Sequence, residues 1–441
     1  MKSLSFTFAL LAMLSLAADW PDFLPQTRLT PLTGNPPLTW SPAQNIAWQS
    51  ELPGDGQSSP VVWDGKIVVS SVSGEMKENN LILCFDLTSG AELWRHASQS
   101  SLPIKSSLYI SRAAPTPAAD RAGVVVLFES GDVIALDWQG QLRWQRALTA
   151  DYGEIKAEFG LGASLAQHDD AVFALIENEG PSYLVALDKA TGETRWKSDR
   201  PSVISWSSPA VMTLAGTPQI VISSVGTVDS YELTSGQKLW TVDGIGGNTV
   251  ATPSQVDGER LIIGASPGRG EPDAGPAGES NLLIRVSGQG QSLQAEVPWR
   301  AAKAQASFST PLAYQGVGYW VNRAGVVFAI DLADGKELFA QRLDQAPWAT
   351  AIGVSDRVYF FGKDGTTTVL RSGKTFEKLA SNVLWNPADV APPPATGEGE
   401  QSREQRAAAA GFAGPIQYGA ALADDSFVIR TGNRLYRVAV R

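Results

Sequence analysis

One phrase recurs five times at intervals that constrain what this chain can fold into. It reads LCFDLTSGAELW at 83–94, IALDWQGQLRW at 134–144, VALDKATGETRW at 185–196, DSYELTSGQKLW at 229–240 and FAIDLADGKELF at 328–339. In every copy a glycine (Gly90, Gly140, Gly192, Gly236, Gly335) stands four residues before a Trp or Phe. A small residue (Cys84, Ala135, Ala186, Ser230, Ala329) stands two before an acidic one (Asp86, Asp137, Asp188, Glu232, Asp331). Repeats of roughly 40–50 residues made of short β-rich runs are the mark of propeller blades, sheets that bury their faces only against neighbours.

Each repeat has the same internal order. Ser59-Pro60, Thr116-Pro117, Ser208-Pro209, Thr252-Pro253 and Thr310-Pro311 open five of them, and β-branched runs such as KIVVSS (66–71) and QIVISS (219–224) follow. The phrase supplies two further strands around a turn whose glycine tolerates positive φ and whose acid can accept turn amides. That makes four antiparallel strands per repeat. The aromatic then falls on the outermost strand, where it is expected to pack over the small residue of a neighbouring sheet. A swollen repeat ends near Trp299 and a degraded one covers 348–381. The tail 416–440 has room for three strands, and NIAWQSEL at 45–52, with Trp48, supplies a fourth that would close the ring and remove both sheet edges. The fold expected is all-β, an eight-bladed propeller closed by the N-terminal strand, with seven blades as the alternative.

The rest of the chain divides around this ring. Residues 1–18 have the Lys2 start, the apolar stretch 4–16 and the small-residue end of a secretory signal, with cleavage after Ala17 or Ala18. Residues 19–44 carry six prolines and are expected to run extended over the propeller surface, and 45–441 form the propeller. A Pro-, Ala- and charge-rich stretch at 386–415 is expected to be a flexible insertion. Export to the periplasm or the extracellular space is therefore expected, as a monomer. No apolar run after the signal reaches the ~20 residues of a membrane helix, and no Cys follows the signal to carry a lipid. A net charge of −10 argues against nucleic acid, whose phosphates need a basic footprint. Cys84, the single cysteine, precludes an intrachain disulfide and sits at a position held by Ala in other copies, so a buried small residue is expected.

Loops that join an outer strand to the next blade's inner strand gather around a propeller's central funnel. Here they carry Lys105, Tyr109, Arg112, Glu154, Lys156, Glu158, Trp206, Asn248 and Lys303, a mix of charges and aromatics suited to a polar ligand or a protein partner. Catalytic signatures are missing: the two histidines are isolated and no G-x-S-x-G elbow occurs. Neither a catalytic residue nor a metal ligand is therefore assigned.

The phrase, with VALDKATGETRW its cleanest copy, resembles the pyrroloquinoline-quinone (PQQ) repeat over about 45–441. That family includes eight-bladed quinoprotein alcohol dehydrogenases and also non-enzymatic propellers such as the lipoprotein of the outer-membrane β-barrel assembly machinery. The overall likeness is to exported bacterial PQQ-like propellers. The repeat residues dock blades and do not touch a quinone, so the resemblance speaks for the fold and leaves function to the site. The dehydrogenases also carry an adjacent cysteine pair and a calcium-binding Glu/Asn/Asp set that this sequence does not match. The function expected is thus a non-catalytic scaffold, without cofactor, that holds a protein or polar ligand on its central face. The alternative is a PQQ-dependent or other small-molecule oxidoreductase working in the funnel.

Overall fold

The computed structural model describes residues 19–25, 32, 34–105, 111–247, 250–267, 277–301, 303–386, 388, 390 and 414–440. They form eight four-stranded antiparallel sheets set around a ring. Blade 1 consists of Val61–Trp63, Lys66–Ser73, Asn79–Asp86 and Glu92–Gln99, running from the axis outwards. Blades 2 to 7 follow at 118–147, 166–200, 210–245, 254–300, 312–342 and 352–383. Blade 8 takes Gly419–Ala423, Ser426–Arg430 and Arg434–Val438 from the C-terminus and Ile46–Glu51 from the other end of the chain. The eight-blade count and the closure by the N-terminal strand both hold. The signal region, Tyr109, Asn248 and most of the expected insertion at 386–415 lie outside the described residues.

Closure is specified by register. Trp48 lies opposite Arg437, Gln49 opposite Tyr436 and Glu51 opposite Arg434, with the last pair ion-paired at 3.0 Å. Arg430, entirely buried, reaches from blade 8 to the Ser58 and Ser71 hydroxyls of the next blade. Burial pushes its pKa down to about 9, and hydroxyl and carbonyl acceptors satisfy a cation that has lost water.

The repeated phrase has a packing reason that differs from the expected one. The small residue faces the aromatic inside the same blade: Cys84 opposes Trp94, Ala135 opposes Trp144 and Ala186 opposes Trp196, each pair followed by a bulge. The ring then lies on the turn glycine of the next blade, not on a neighbouring small residue. A Cβ at Gly140 would sit 2.8 Å from Trp94, and one at Gly192 would sit 2.6 Å from Trp144. Both glycines also adopt positive φ, so the position excludes other residues twice over. The indole N–H completes the joint by donating across the interface, Trp94 to the Trp138 carbonyl at 3.0 Å and Trp144 to that of Lys189 at 2.9 Å. The acid binds its own turn as expected, with the Asp188 carboxylate accepting the Ala190 and Thr191 amides. Trp48 extends the joint across the closure onto Gly90 and the Leu87 carbonyl, but it is half-buried, where the blade pattern predicts burial.

The Pro-rich segment departs most from expectation. At Trp20 and Trp40 it is buried in the fold instead of lying over the surface. Trp20 is 1% exposed and exchanges two backbone hydrogen bonds with Val62 on the inner strand of blade 1, at 2.8 and 2.9 Å. The Pro21 carbonyl accepts from the Ala119 amide of blade 2, and the Gln167 side chain of blade 3 binds Pro21 and Asp22. Further on, Trp40 is buried between blades 7 and 8, 6.3 Å from both Tyr359 and Phe427, with its amide on the Asn382 side chain. The inner strands leave unpaired backbone along the axis, and 19–25 covers part of it.

Candidate functional site

The Ser/Thr that opens each blade builds the wall of the axis. The Ser59 amide donates to the Thr116 hydroxyl, Thr116 to Ser164, Ser164 to Ser208, Ser208 to Thr252, Thr252 to Thr310 and Thr310 to Thr350, all at 2.9–3.1 Å. One blade's backbone thus reads the next blade's side chain around the ring. Blade 8 interrupts the belt with Gly419, where any Cβ would sit 2.2 Å from the Ser59 hydroxyl.

Above this belt lies a cavity of about 420 Å³. Phe23 and Leu24 of the N-terminal segment contribute to its lining, as do Thr116, Ser164, Ser208, Thr310 and Thr350. Aromatics from five connecting loops complete the wall. Trp206 is held against Gly162, donates to the Gly160 carbonyl at 3.2 Å and sits 6.3 Å from Phe159. Further round the ring Phe308 and Trp348 stack at 4.3 Å, and Tyr418 meets Trp348 edge-on at 5.7 Å. Arg323, exposed at the mouth, holds its guanidinium 5.7 Å from the Phe308 ring. No carboxylate is among the lining residues described.

A second cavity of about 820 Å³ opens at the closure seam, between Trp48, Tyr436 and Trp385 on one side and Asp55, Arg112 and Ile416 on the other. Arg112 is 7% exposed, pairs with Asp55 at 3.0 Å and donates to the Tyr418 hydroxyl at 3.2 Å. Tyr418 borders both cavities, and its burial pushes the phenol pKa up.

The candidate residues named from the sequence separate into groups. Trp206 lines the funnel and Arg112 lines the seam. Lys105, Glu154, Lys156, Glu158 and Lys303 are exposed on the connecting loops, and none of them lines either cavity. Tyr109 and Asn248 lie outside the described residues. Phe159 and Phe308 belong to the same loops as Glu158 and Lys303, and the sequence reading, which named Trp206 and Tyr109 among the aromatics, passed over both. Trp348, Tyr418 and Arg323 carry no motif of their own.

The quinoprotein resemblance implies calcium-bound PQQ in the funnel, and the residues present do not fit it. The described lining offers no Asp or Glu to a hard cation, and no three His, Cys, Asp or Glu among the described residues converge on a metal position. Cys84 is buried in the interface of blades 1 and 2, with its thiol pKa pushed up to about 12 by burial.

Fold and site together define a PQQ-repeat propeller with an aromatic cup on its axis. The chain belongs to the family described as outer membrane protein assembly factor BamB, whose sequence profile matches residues 40–175, 153–271 and 226–435. It is 25% identical to the BamB of Bordetella pertussis over 390 residues, covering 82% of this chain and 85% of that protein. Against the BamB of Yersinia pestis it is 28% identical over 161 residues, 36% of this chain and 37% of that protein. Two solved structures share the architecture. BamB of Moraxella catarrhalis superposes with a TM-score of 0.57 at 13% identity, covering 90% of this chain and 97% of that one. The quinohemoprotein alcohol dehydrogenase of Comamonas testosteroni gives 0.58 at 14% identity, covering 96% of this chain and 81% of that one. At those identities the likeness reaches the fold alone.

Proposed function

We propose that this protein is an exported, periplasmic, non-catalytic scaffold that takes part in outer-membrane protein assembly by holding a protein partner on its central face. The observation that carries this reading is the family match along the blades, joined to a funnel whose described lining is aromatics, hydroxyls and one arginine, with no Asp, Glu, His or Lys among the described residues. A ring whose blades are locked by Trp–Gly joints is rigid, and rigidity lowers the ordering cost of binding on loops it presents. In this reading Lys105, Glu154, Lys156, Glu158 and Lys303, exposed on the connecting loops, supply the polar part of the partner-binding face together with Trp206 and Arg112. A polar rim around an apolar centre is the usual anatomy of a protein interface.

The test is affinity capture from native cell envelopes with the wild-type chain and with Glu154→Ala, Lys156→Ala and Trp206→Ala variants. Partner recovery is expected to fall in the variants, most for Trp206→Ala. Equal recovery from all four proteins would refute the assignment of this face. In the parent cells, loss of the protein should lower the amount of folded outer-membrane protein, and unchanged amounts would refute the assembly role.

A further inference from the structure

We propose that the funnel is a peptide-binding cup for an aromatic side chain adjacent to a carboxylate, presented by an extended or loop segment of the partner protein. The inference rests on the scaffold reading and names the chemistry of what the scaffold holds. Three features of the cup support it.

The first is shape. A cavity of about 420 Å³ accommodates one large side chain with its flanking backbone. The walls offer π-faces from different arcs of the ring, Phe159 and Trp206 on one and the stacked Phe308 and Trp348 on another. Phe308 is 39% exposed, so an incoming ring would remove apolar surface from water that the fold leaves uncovered.

The second is polarity. Thr116, Ser164, Ser208, Thr310 and Thr350 each use a hydroxyl oxygen to accept a backbone amide and keep the O–H to donate. Donors of this kind suit the carbonyl groups of a peptide backbone entering the cup.

The third is charge. The chain carries a net charge of −10, yet Arg323 is the charged residue on the described lining. Among the described residues it has no carboxylate partner, and its recorded hydrogen bond is a long one of 3.5 Å to the Ser266 hydroxyl. Its guanidinium lies against the Phe308 face, where a ligand ring would also sit. A carboxylate next to the bound aromatic would therefore meet the guanidinium fork, and a lysine there would meet like charge.

Titration calorimetry on the full mature chain, read alongside intrinsic tryptophan fluorescence, tests this with blocked tetrapeptides. Acetyl-Gly-Phe-Asp-Gly-amide is expected to bind, with the Phe-Asn peptide weaker by about 5-fold and the Phe-Lys peptide weaker still. Replacing Phe by Gly should abolish binding. Arg323→Gln, an exposed change that spares the fold, should erase the preference for Asp over Asn. Trp206→Ala and Phe308→Ala should weaken both peptides together. Four results would overturn the inference: no saturation by any peptide at millimolar concentration; equal affinity for the Asp and Asn peptides; an Asp preference that survives Arg323→Gln; or 3-phenylpropanoate binding as tightly as the peptide, which makes the cup a small-molecule site. If envelope capture succeeds while the peptides fail, this inference falls and the scaffold reading stands.

Discussion

Replacing Trp20 separates two accounts of the N-terminal segment. From composition alone, a Pro-rich stretch with no blade pattern would be dispensable. In the structure Trp20 is 1% exposed and packs in the same core as Val62, Ile67 and Leu422. Trp20→Ala removes a fully buried indole, which costs about 3–5 kcal/mol because the surrounding strands cannot collapse into the space. With unfolding entropy of roughly 2.1 cal/mol/K per residue over roughly 400 residues, that is a fall in Tm of about 4–6 °C if the closed ring melts as one unit. Deleting 19–25 should cost at least as much, since it also strips the backbone partners of Val62 and Ala119 and removes Phe23 and Leu24 from the funnel lining. Differential scanning calorimetry at matched concentration is the assay. A Trp20→Ala melting temperature within about 1 °C of wild type would refute the packing argument, since a buried Trp cannot be removed that cheaply. A deletion that melts normally would show that the segment does not occupy the axis.

Other consequences follow from single sites. Trp48→Ala should cost less than Trp20→Ala, about 2–3 kcal/mol by melting, because the indole is half-buried and loses one hydrogen bond to Leu87; a loss equal to that of Trp20→Ala would contradict the exposure. Cys84 should resist thiol reagents at pH 8 until the chain is denatured, since burial pushes its pKa up to about 12, and labelling of the native protein would refute this. Asp229 is buried against Arg200, and although burial alone would raise its pKa, hydrogen bonds from Thr241 and Lys238 and the Arg200 charge hold it below the usual value. Its stabilising contribution is therefore whole above the unfolded value of about 3.9 and lost as pH falls through the lower folded value. Asp229→Asn should cost about 3–5 kcal/mol at pH 7 and shrink the acid-side loss of stability, and a variant with an unchanged pH–stability curve would refute that assignment. Addition of PQQ and calcium should give no saturable absorbance change at micromolar cofactor, and saturable binding would refute the misfit argued for the funnel.

The ring was legible because its geometry repeats. Ala186 opposite Trp196 and Gly192 beneath Trp144 solve the same steric problem that Cys84, Trp94 and Gly140 solve one joint earlier, so chance variation averages out over the copies. Even the closing strand was readable, because Trp48 rests on Gly90 as Trp94, Trp144, Trp196 and Trp299 rest on the turn glycines of the blades that follow them. The partner of that Trp was misassigned because sequence spacing cannot say whether two residues meet across one sheet or between two. Residues 20–24 were misread for a related reason. A segment that pairs with an edge it meets once has no period, and its prolines read equally well as a solvated strap.

The candidate site follows the opposite logic, which is why Trp206 is the one aromatic of its described wall that the sequence reading named. Trp206, Phe308, Trp348 and Arg323 each occur once, on loops set by blades of different sequence, and only the ring brings them within reach of one cavity. A charged residue on such a loop announces itself, but charge is what water solvates, and Lys105, Glu154, Lys156, Glu158 and Lys303 accordingly stay exposed on the connecting loops. An aromatic on the same loop costs free energy in water, so it turns towards the axis, and several such turns from different blades make the cup. The opening Ser/Thr residues were visible in the pattern and still hid their role. Their hydroxyls join backbone to side chain from one blade to the next, a relation that a single repeat, however clear, does not contain. In a rigid ring the recognition chemistry thus falls to residues that the repeat does not specify, held at distances that it does.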